Sequence, residues 1–370
     1  MRKSFVSTGP GEEDGAALTE VERRALRVEP AAQYPAGPNV NTSMKAIVCR
    51  HYGPPEAVLH CEDVEKPAPG DGEVLIRIRA ASVNPLDSHL VKGKPYGARL
   101  MFGLTGPKAT RPGRDVAGEV EAVGPNVTRF KPGDEVFGVC RGAFAEYACA
   151  GQDKVVKKPA SVTFAQAASA PIAGLTALQA LRDAGHLEPG QRVLVNGAAG
   201  GVGMFAVQVA KSMGADVTGV CSTRNAEMVR SLGADRVVDY TREDFTRLDE
   251  RYDLMLDCIC NHPLSARRRV LTRDGRLVVI GAPPGRWFVG MLAEIVKPLV
   301  VSRFVSQTLT ILVARMNEAD LGVLGELLAS GKVAPVVDRR EGLAAVPQAV
   351  RDVAGRHVRG KAVIIVQEGA

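Results

Sequence analysis

A glycine-rich turn between an apolar strand and a helix constrains the fold of this chain more than any other sequence feature. Residues 193–196 form a short apolar run typical of a buried strand, and residues 197–203 follow it with the spacing G-x-x-G-x-x-G. The helix that begins there places Val202, Ala206 and Val209 on its packed face. Free N–H groups at such a helix start can bind a dinucleotide pyrophosphate, so the turn predicts a nucleotide-binding βαβ unit.

Strand and helix patterns alternate after residue 161, which is typical of βαβ units around a parallel sheet. The predicted strands in this part are residues 217–221, 236–239, 253–257 and 277–280, and the predicted helices are residues 164–170, 175–184, 226–232 and 263–271. The C-terminal part adds a helix at 318–330 and strands at 333–337 and 362–366.

Residues 45–158 have a different pattern, in which short strands are separated by turn signals. Residues 73–79 alternate in their second half as a half-buried strand does. Further strands are predicted at 116–123, 135–139 and 144–149, between turns rich in Gly, Pro, Asn and Asp. This part of the chain therefore predicts a small barrel or a sheet-rich domain.

Composition excludes several other classes of protein. The formal net charge is 47 − 41 = +6, which is too dilute to predict nucleic-acid binding, and the densest basic run, residues 267–269, is interpreted as a solvated helix face. No run of ~18 uncharged apolar residues predicts a membrane span, because charges interrupt even the apolar segment 287–314. The seven cysteines include no C-x-x-C pair, which indicates a reducing compartment and no zinc finger.

Residues 1–43 differ in composition from the rest of the chain. They contain four prolines and one short helical candidate, residues 18–28. Such a segment buries too little apolar surface to order itself, so it is predicted to be a flexible extension, or else a start codon assigned too early. No apolar signal core follows Arg2 and Lys3, so secretion is not predicted and a cytoplasmic location is expected.

The strand after the glycine turn indicates which dinucleotide binds. An acidic residue ~20 positions after the glycines would hold the ribose diol of NAD. The strand at 217–221 is followed instead by Ser222, Thr223 and Arg224, two hydroxyls and a cation that suit a 2′-phosphate. The sequence therefore predicts NADPH rather than NADH. The alternative is that Arg224 merely begins the next helix.

Six motifs stand in order along the chain. They are residues 81–87 (ASVNPLD), 113–118 (GRDVAG), 130–136 (FKPGDEV), the glycine turn 197–203, 232–240 (from LGAD to DY) and 359–361 (RGK). Together they resemble the zinc-independent quinone oxidoreductases of the medium-chain dehydrogenase/reductase superfamily, and the resemblance covers about residues 44–366. Within that family, residues 220–222 and 357–361 most resemble the reticulon-interacting branch.

The resemblance implies an α/β protein with two domains. A GroES-like β-barrel catalytic domain would comprise residues 44–166 and 311–370, and a Rossmann NADPH-binding domain, a doubly wound parallel sheet, would comprise residues 167–310. The active site would lie in the cleft between them, with residues 287–314 as a wall of the substrate pocket or as part of a homodimer interface.

The resemblance also separates this chain from zinc-dependent relatives. Those proteins have a Cys where this chain has residues 83–85 (VNP), a Gly-His-Glu where it has 113–115 (GRD), and another Cys near 171–174, where none occurs. Zinc prefers thiolate and imidazole ligands, so no metal is predicted. Arg114 and Asp115 are interpreted as a structural ion pair, and Cys258 and Cys260 as core residues of their strand rather than redox thiols.

The family pattern implies roles for individual residues. Asn84 and Tyr52 would be the catalytic residues, although a Tyr that only packs against a turn is an equal alternative for Tyr52, and Asp87 would hold the loop of Asn84. The residues implied to contact the cofactor are Asn84, Thr176, Ala199, Gly200, Gly201, Val202, Ser222, Arg224, Tyr240, Cys258, Gly281, Ala282 and Arg359.

The function implied is NADPH-dependent, metal-free hydride transfer to an apolar small-molecule substrate, either a quinone or an α,β-unsaturated carbonyl. This chemistry needs proximity and a hydrogen-bond donor for the developing anion, and water can supply the proton. Two alternatives stay open. The chain could be a trans-acting enoyl-thioester reductase, or a non-catalytic NADPH-binding protein.

Overall fold

The computed structural model describes residues 42–94, 96, 99–280, 301, 305–355 and 358–367. The helix predicted at 18–28, most of the segment 287–314, and the predicted cofactor contacts Gly281 and Ala282 lie outside these residues. Among the described helices, none is both long enough and apolar enough to cross a membrane.

The described strands are numbered in chain order. They are β1 Ser43–Cys49, β2 Leu59–Glu65, β3 Glu73–Ser82, β4 Asp115–Val123, β5 Glu135–Val139, β6 Tyr147–Gly151, β7 Val155–Lys157, β8 Arg192–Asn196, β9 Asp216–Cys221, β10 Arg236–Asp239, β11 Tyr252–Asp257, β12 Leu271–Val279, β13 Thr308–Ile311, β14 Val337–Glu341 and β15 Lys361–Ile365.

The helices follow the same order. The α-helices are Pro55–Val58, Pro85–Lys92, Arg99–Phe102, Phe164–Ser169, Pro171–Gln179, Gly201–Ser212, Ala226–Ser231, Leu264–Arg269, Glu318–Ala329 and Val346–Ala354. A π-helical turn, Ala180–Ala184, extends the fifth of these, and 3-10 turns occupy Thr223–Asn225, Phe245–Arg247 and Leu343–Ala345.

A mostly antiparallel sheet contains strands from both ends of the described chain. Its order is β14-β15-β3-β4-β5-β7, and β6 also pairs with β3. Along β3, Ile76 and Ile78 are fully buried while Arg77 and Arg79 form ion pairs with glutamates of β4, as the two-residue period of a strand requires. Because β15 pairs antiparallel with β3, the C-terminal strand returns to the GroES-like part of the protein, as the resemblance implies.

The second large sheet is parallel and has the strand order β10-β9-β8-β11-β12-β13. This is the order of a Rossmann fold, in which the connections change direction between the two central strands, here β8 and β11. The central strand β8 buries Val193, Leu194 and Val195 completely. Burying each such side chain contributes ~1.5–3 kcal/mol to folding. The glycine turn follows β8, so it lies at the point of the sheet where ligands of such folds bind.

Two predicted strands differ from the observed ones. The strand predicted at 333–337 begins only at Val337, because Val333 is buried against the end of the preceding helix, where its N–H donates to the carbonyl of Leu327. The strand predicted at 144–149 is β6, Tyr147–Gly151, since Phe144 lies in a bend and Ala145 forms only an isolated bridge with Ala46 of β1. In both cases the apolar run begins before the residues that form a continuous strand.

Candidate active site

The glycine turn is built so that only glycine fits at two of its positions. Gly197 has a φ of +90°, which disfavours other residues. A Cβ on Gly203 would lie 2.1 Å from the carbonyl oxygen of Gly197. Ala199, Gly200, Gly201 and Val202 therefore surround the start of the helix Gly201–Ser212, whose first N–H groups have no partner within the helix. These residues fit the pyrophosphate of a dinucleotide.

Three of the predicted cofactor contacts lie together at the carboxyl ends of β9 and β10. Ser222 directly follows β9, and Arg224 is exposed on the 3-10 turn Thr223–Asn225. Tyr240 directly follows β10, donates its backbone N–H to the carbonyl of Cys221 at 3.0 Å, and is 61% exposed. This group is called the adenosine end below.

A carboxylate also lies at the adenosine end, but its hydrogen-bonding capacity is used locally. Asp239, the last residue of β10, accepts hydrogen bonds from the hydroxyl of Thr223 and, at 2.7 Å, from that of Thr241. These contacts, the one from Thr223 first, lower the pKa of Asp239. Within the described part of the chain, Arg224 makes no ion pair, so its guanidinium is available for an anion.

Cys258 lies beside the glycine turn. Its N–H donates to the carbonyl of Asn196 at 3.1 Å, and a Cβ on Gly197 would lie 3.5 Å from the Cβ of Cys258. Burial raises the pKa of the Cys258 thiol, so the thiol stays protonated and is a poor nucleophile. Cys258 and Cys260 lie beyond the end of β11, so the interpretation of both as residues within the strand is wrong, because β11 ends at Asp257.

The basic run at 267–269 is not solvated throughout. Arg267 is 2% exposed and its Nη1 lies 3.1 Å from Oδ2 of the fully buried Asp257. The same carboxylate accepts from Nδ2 of Asn196 at 2.8 Å. The expectation of a solvated helix face is therefore wrong for Arg267, since a buried arginine requires a paired carboxylate and the Rossmann sheet supplies one.

Asn84 is the centre of a second buried polar group, called the nicotinamide end below. It follows β3 and begins the helix Pro85–Lys92. Nζ of Lys361 donates to Oδ1 of Asn84 at 2.7 Å, and Nδ2 of Asn84 donates to Oδ2 of Asp115 at 2.9 Å. Asn84 and Lys361 are each 3% exposed, and Asp115 is fully buried.

Asp115, the first residue of β4, joins this group to the Rossmann side. Its Oδ2 accepts from the hydroxyl of Ser82 at 2.9 Å, and its Oδ1 accepts from the N–H of Ile172 at 3.0 Å, at the start of the helix Pro171–Gln179. The expected ion pair with Arg114 is wrong, because the basic partner of Asp115 is Lys361, at 3.4 Å.

Asp87 holds the backbone of the Asn84 loop. Its Oδ2 accepts from the N–H of Asn84 at 2.8 Å, while its Oδ1 has no hydrogen-bond partner among the described residues. Burial raises the pKa of Asp87 to about 7, and the nearby carboxylate of Asp115 adds to the rise. The hydrogen bond from Asn84 and the charge of Lys361 oppose it.

Thr176 and Tyr52 differ in their relation to Asn84. Thr176 lies one helical turn after Ile172, the residue that Asp115 caps, and donates its hydroxyl to the Ile172 carbonyl at 2.6 Å. Tyr52 instead packs near the C-terminal end of the helix Pro85–Lys92, ~12 Å along the helix from Asn84. Its hydroxyl donates to the carbonyl of Gly103 at 2.7 Å. These contacts fit the turn-packing alternative for Tyr52.

Lys361 is the site residue that the sequence analysis missed. The N–H of Gly360 donates to the carbonyl of Ala199 in the glycine turn at 2.9 Å, and a Cβ on Gly201 would lie 3.2 Å from Cδ of Lys361. The motif at 359–361 includes this lysine, but the residue of the motif that was predicted to contact the cofactor is Arg359. Arg359 is exposed, with its Nε 3.9 Å from Oδ1 of Asp338.

No three His, Cys, Asp or Glu side chains are grouped as metal ligands among the described residues. The charged group nearest to Asn84 is the ammonium of Lys361, which is itself a cation.

Two family models match separate parts of the chain. Residues 70–160 match the family model of the alcohol dehydrogenase GroES-like domain, and residues 232–364 match the model of the zinc-binding dehydrogenases. The chloroplastic quinone-oxidoreductase of Triphysaria versicolor is 34% identical over 336 residues, which cover 87% of this chain and 98% of that relative. The mitochondrial NAD(P)H oxidoreductase RTN4IP1 of Mus musculus is 32% identical over 364 residues, covering 88% and 90%.

Solved structures share the fold over most of the chain. The quinone oxidoreductase from Coxiella burnetii has a TM-score of 0.76 at 32% identity and covers 88% of this chain and 100% of its own. A mycobacterial protein complexed with NADPH has a TM-score of 0.72 at 27% identity, covering 87% and 100%. The CurK enoyl reductase has a TM-score of 0.74 at 26% identity, covering 88% and 100%.

Proposed function

Because this chain belongs to the medium-chain dehydrogenase/reductase superfamily and is an oxidoreductase related to quinone oxidoreductases, we propose that it is an NADPH-dependent, zinc-free reductase of quinones or α,β-unsaturated carbonyls. The observation that carries the proposal is the buried carboxamide of Asn84, which is hydrogen-bonded to Lys361 and Asp115. The side chain of Lys361 also lies against Gly201, so a line of contacts joins Asn84 to the glycine turn.

The cofactor would be held along that path. The glycine turn, with Ala199, Gly200, Gly201 and Val202, would bind the pyrophosphate, and Asn84 and Thr176 would line the nicotinamide pocket. Cys258, which lies beside the glycine turn, would contact the cofactor, and Arg359 would contact one of its phosphates. The bound cofactor supplies the hydride.

The chain's own contribution to the reaction is positioning and polarisation. A buried amide donor next to the reacting oxygen stabilises the negative charge that develops there, because its dipole is fixed before the reaction begins. A site with few solvent contacts strengthens this interaction, since water no longer screens it. Water supplies the proton in the last step.

The choice of NADPH rests on the adenosine end. Arg224 is exposed there, with Ser222 and Tyr240 beside it, and the carboxylate of Asp239 is occupied by threonine hydroxyls. A guanidinium suits a 2′-phosphate better than a ribose diol. The mycobacterial neighbour, which is complexed with NADPH, supports the same choice.

The proposal of zinc-free chemistry rests on the donor set. By the resemblance, residues 83–85 and 113–115 stand where zinc-dependent relatives have a Cys and a Gly-His-Glu. The ammonium of Lys361 contacts a residue of each segment, Asn84 and Asp115. A cation already paired with this carboxylate and amide disfavours a metal ion at the same place.

One alternative activity has support of its own. The CurK enoyl reductase shares the fold, and an enoyl thioester is an α,β-unsaturated carbonyl that the same hydride transfer would reduce.

The expected cytoplasmic location and homodimer stay predictions. The named relatives are chloroplastic and mitochondrial, so cell fractionation would test the location of this protein. Light scattering would test the homodimer.

Steady-state NADPH oxidation with three acceptors tests the proposed function. The acceptors are 1,2-naphthoquinone, a 2-alkenal and crotonyl thioester, each with NADPH carrying deuterium on one or the other face of C4. The proposal predicts saturable turnover of the quinone or the alkenal, with an isotope effect for one face only. Turnover of the thioester alone would support the enoyl reductase instead. Tight NADPH binding without turnover of any acceptor would contradict both activities.

A further inference from the structure

The partners of Asn84 determine which way its carboxamide is turned. A lysine ammonium can only donate hydrogen bonds, so the atom 2.7 Å from Nζ of Lys361 must be the oxygen, Oδ1. A carboxylate accepts them, so the atom 2.9 Å from Oδ2 of Asp115 is the nitrogen, Nδ2. The orientation therefore follows from the chemistry of the two partners and not from the placement of near-identical atoms.

The same partners leave Asn84 with one N–H that can donate to another molecule. A carboxamide has two N–H donors, and the described residues supply an acceptor, on Asp115, for one of them. Any second donor approaching Oδ1 would meet the positive charge of Lys361. Hydrogen bonds at both ends of an amide polarise it further, which makes the remaining N–H a stronger donor.

We propose that Lys361 and Asp115 are positioning residues that make Asn84 a hydrogen-bond donor, through its second N–H, to the carbonyl oxygen of the substrate. This inference rests on the proposed function and deepens it, because it names the group that stabilises the developing oxyanion. Bound NADPH would supply a hydride to the β-carbon of an enone and become NADP⁺, and the π electrons of the enone would move onto the carbonyl oxygen, to which Asn84 would donate. Water would then supply the proton at the α-carbon.

Lys361 ties this orientation to the cofactor site. Its backbone follows Gly360, whose N–H is bonded to Ala199 of the glycine turn, and its side chain passes Gly201 before it reaches Asn84. The ammonium is buried, and it lies 3.4 Å from Oδ2 of Asp115. The same side chain therefore contacts the turn that would hold the pyrophosphate and the amide that would face the substrate.

Exchanging the amide and the carboxylate tests the donor role with little change in charge or volume. In the double variant N84D/D115N, Lys361 can still donate to residue 84, Ile172 can still donate to residue 115, and residues 84 and 115 can still bond each other. Residue 84, however, can no longer donate to a substrate. We expect kcat to fall about 100-fold, as for loss of an oxyanion donor. A kcat within about threefold of wild type would overturn the donor role.

Substitutions of Lys361 test whether this residue positions the carboxamide of Asn84. Lys361→Met removes the donor, whereas Lys361→Arg keeps a charged one, and Lys157→Met is a control at an exposed lysine that pairs with Asp134. Measured per folded protein, kcat should fall about tenfold or more in Lys361→Met, recover in part in Lys361→Arg, and stay unchanged in the control. Equal losses of kcat/KM in the Met and Arg variants, with KM raised and kcat intact, would contradict a positioning role.

A measurement without turnover separates this inference from the proposed function. In protein labelled with ¹⁵N-asparagine, the side-chain signals of Asn84 are those lost in Asn84→Asp. The N–H of Asn84 that donates to Asp115 should exchange with solvent at least ~100-fold more slowly than the N–H of Asn126 that bonds Asp71 at the surface, and Lys361→Met should remove this protection. Equal exchange at Asn84 and Asn126 would overturn the inference even in an active enzyme. Protected signals in an inactive protein would instead contradict the proposed function alone.

Discussion

The two ends of the candidate cofactor site are built in opposite ways. The adenosine end consists of residues at or just after the ends of two neighbouring strands, and there Arg224 is exposed and Tyr240 is 61% exposed. The nicotinamide end consists of Asn84, Asp115 and Lys361, which come from distant parts of the chain and are at most 3% exposed. The first can change with little effect on folding, whereas the second is also part of the core.

This difference follows from the electrostatics of burial. Charges at the surface are screened by water and salt, so an exposed guanidinium needs no partner. Buried charges are costly unless they are paired and hydrogen-bonded, and Lys361 and Asp115 satisfy that condition only together. Substitutions should therefore reduce stability at the nicotinamide end and cofactor affinity at the adenosine end.

The largest expected effect is on the stability of Lys361→Met. Removing the ammonium leaves the fully buried carboxylate of Asp115 without its ion-pair partner, and we expect a loss of ~3–5 kcal/mol in the free energy of unfolding. Arg224→Met, the matched change at the adenosine end, should cost less than ~0.5 kcal/mol. Urea denaturation measures both. Similar losses in the two variants would contradict the comparison.

The next effect concerns the pH dependence of stability. Burial raises the pKa of Asp87 from 3.8 to about 7, so the folded state keeps a proton that the unfolded chain releases between these values. The stability contributed by this proton is complete below the lower value and is lost as pH rises through the higher one.

Asp87→Asn removes this titration. The free energy of unfolding of the wild type, relative to the variant, should fall by up to ~1.4 kcal/mol per pH unit between the two pKa values. Urea denaturation of both proteins across this range checks it. A difference that does not vary with pH would show that Asp87 ionises normally in the folded protein.

The smallest expected effect is that of Tyr52→Phe. The variant loses one hydrogen bond to the carbonyl of Gly103, which is worth ~1 kcal/mol, and keeps the ring beside Arg99. Because Tyr52 lies at the far end of the helix from Asn84, kcat should change by less than about threefold. A loss of about 100-fold in kcat, with stability unchanged, would restore Tyr52 as a catalytic residue.

The features predicted well from the sequence are those with local signals. Local signals indicate the glycine turn, the parallel strands around it, and the nearness of Ser222, Arg224 and Tyr240 at the ends of β9 and β10. The order of the sheet brings such ends together whenever the strands are parallel. The adenosine end could therefore be assembled from short segments alone.

The features that the sequence did not predict depend on contacts between distant residues. Asp115 was assigned to its neighbour Arg114, but the structure pairs it with Lys361, 246 positions away. The basic run at 267–269 predicts a solvated helix face, but Arg267 is buried because it pairs with Asp257 at the end of β11. The alternation of residues along a segment indicates which face is buried but not which distant group lies there.

The specificity of Arg224→Ala for its cofactor tests the central claim most directly. With 1,2-naphthoquinone as acceptor, kcat/KM is measured for NADPH and for NADH in the wild type and in the variant. The wild type should prefer NADPH, and the variant should lose about 10- to 100-fold in kcat/KM for NADPH, one charge-assisted contact, with little change for NADH. Equal losses with both cofactors, or a wild type that prefers NADH, would contradict the account.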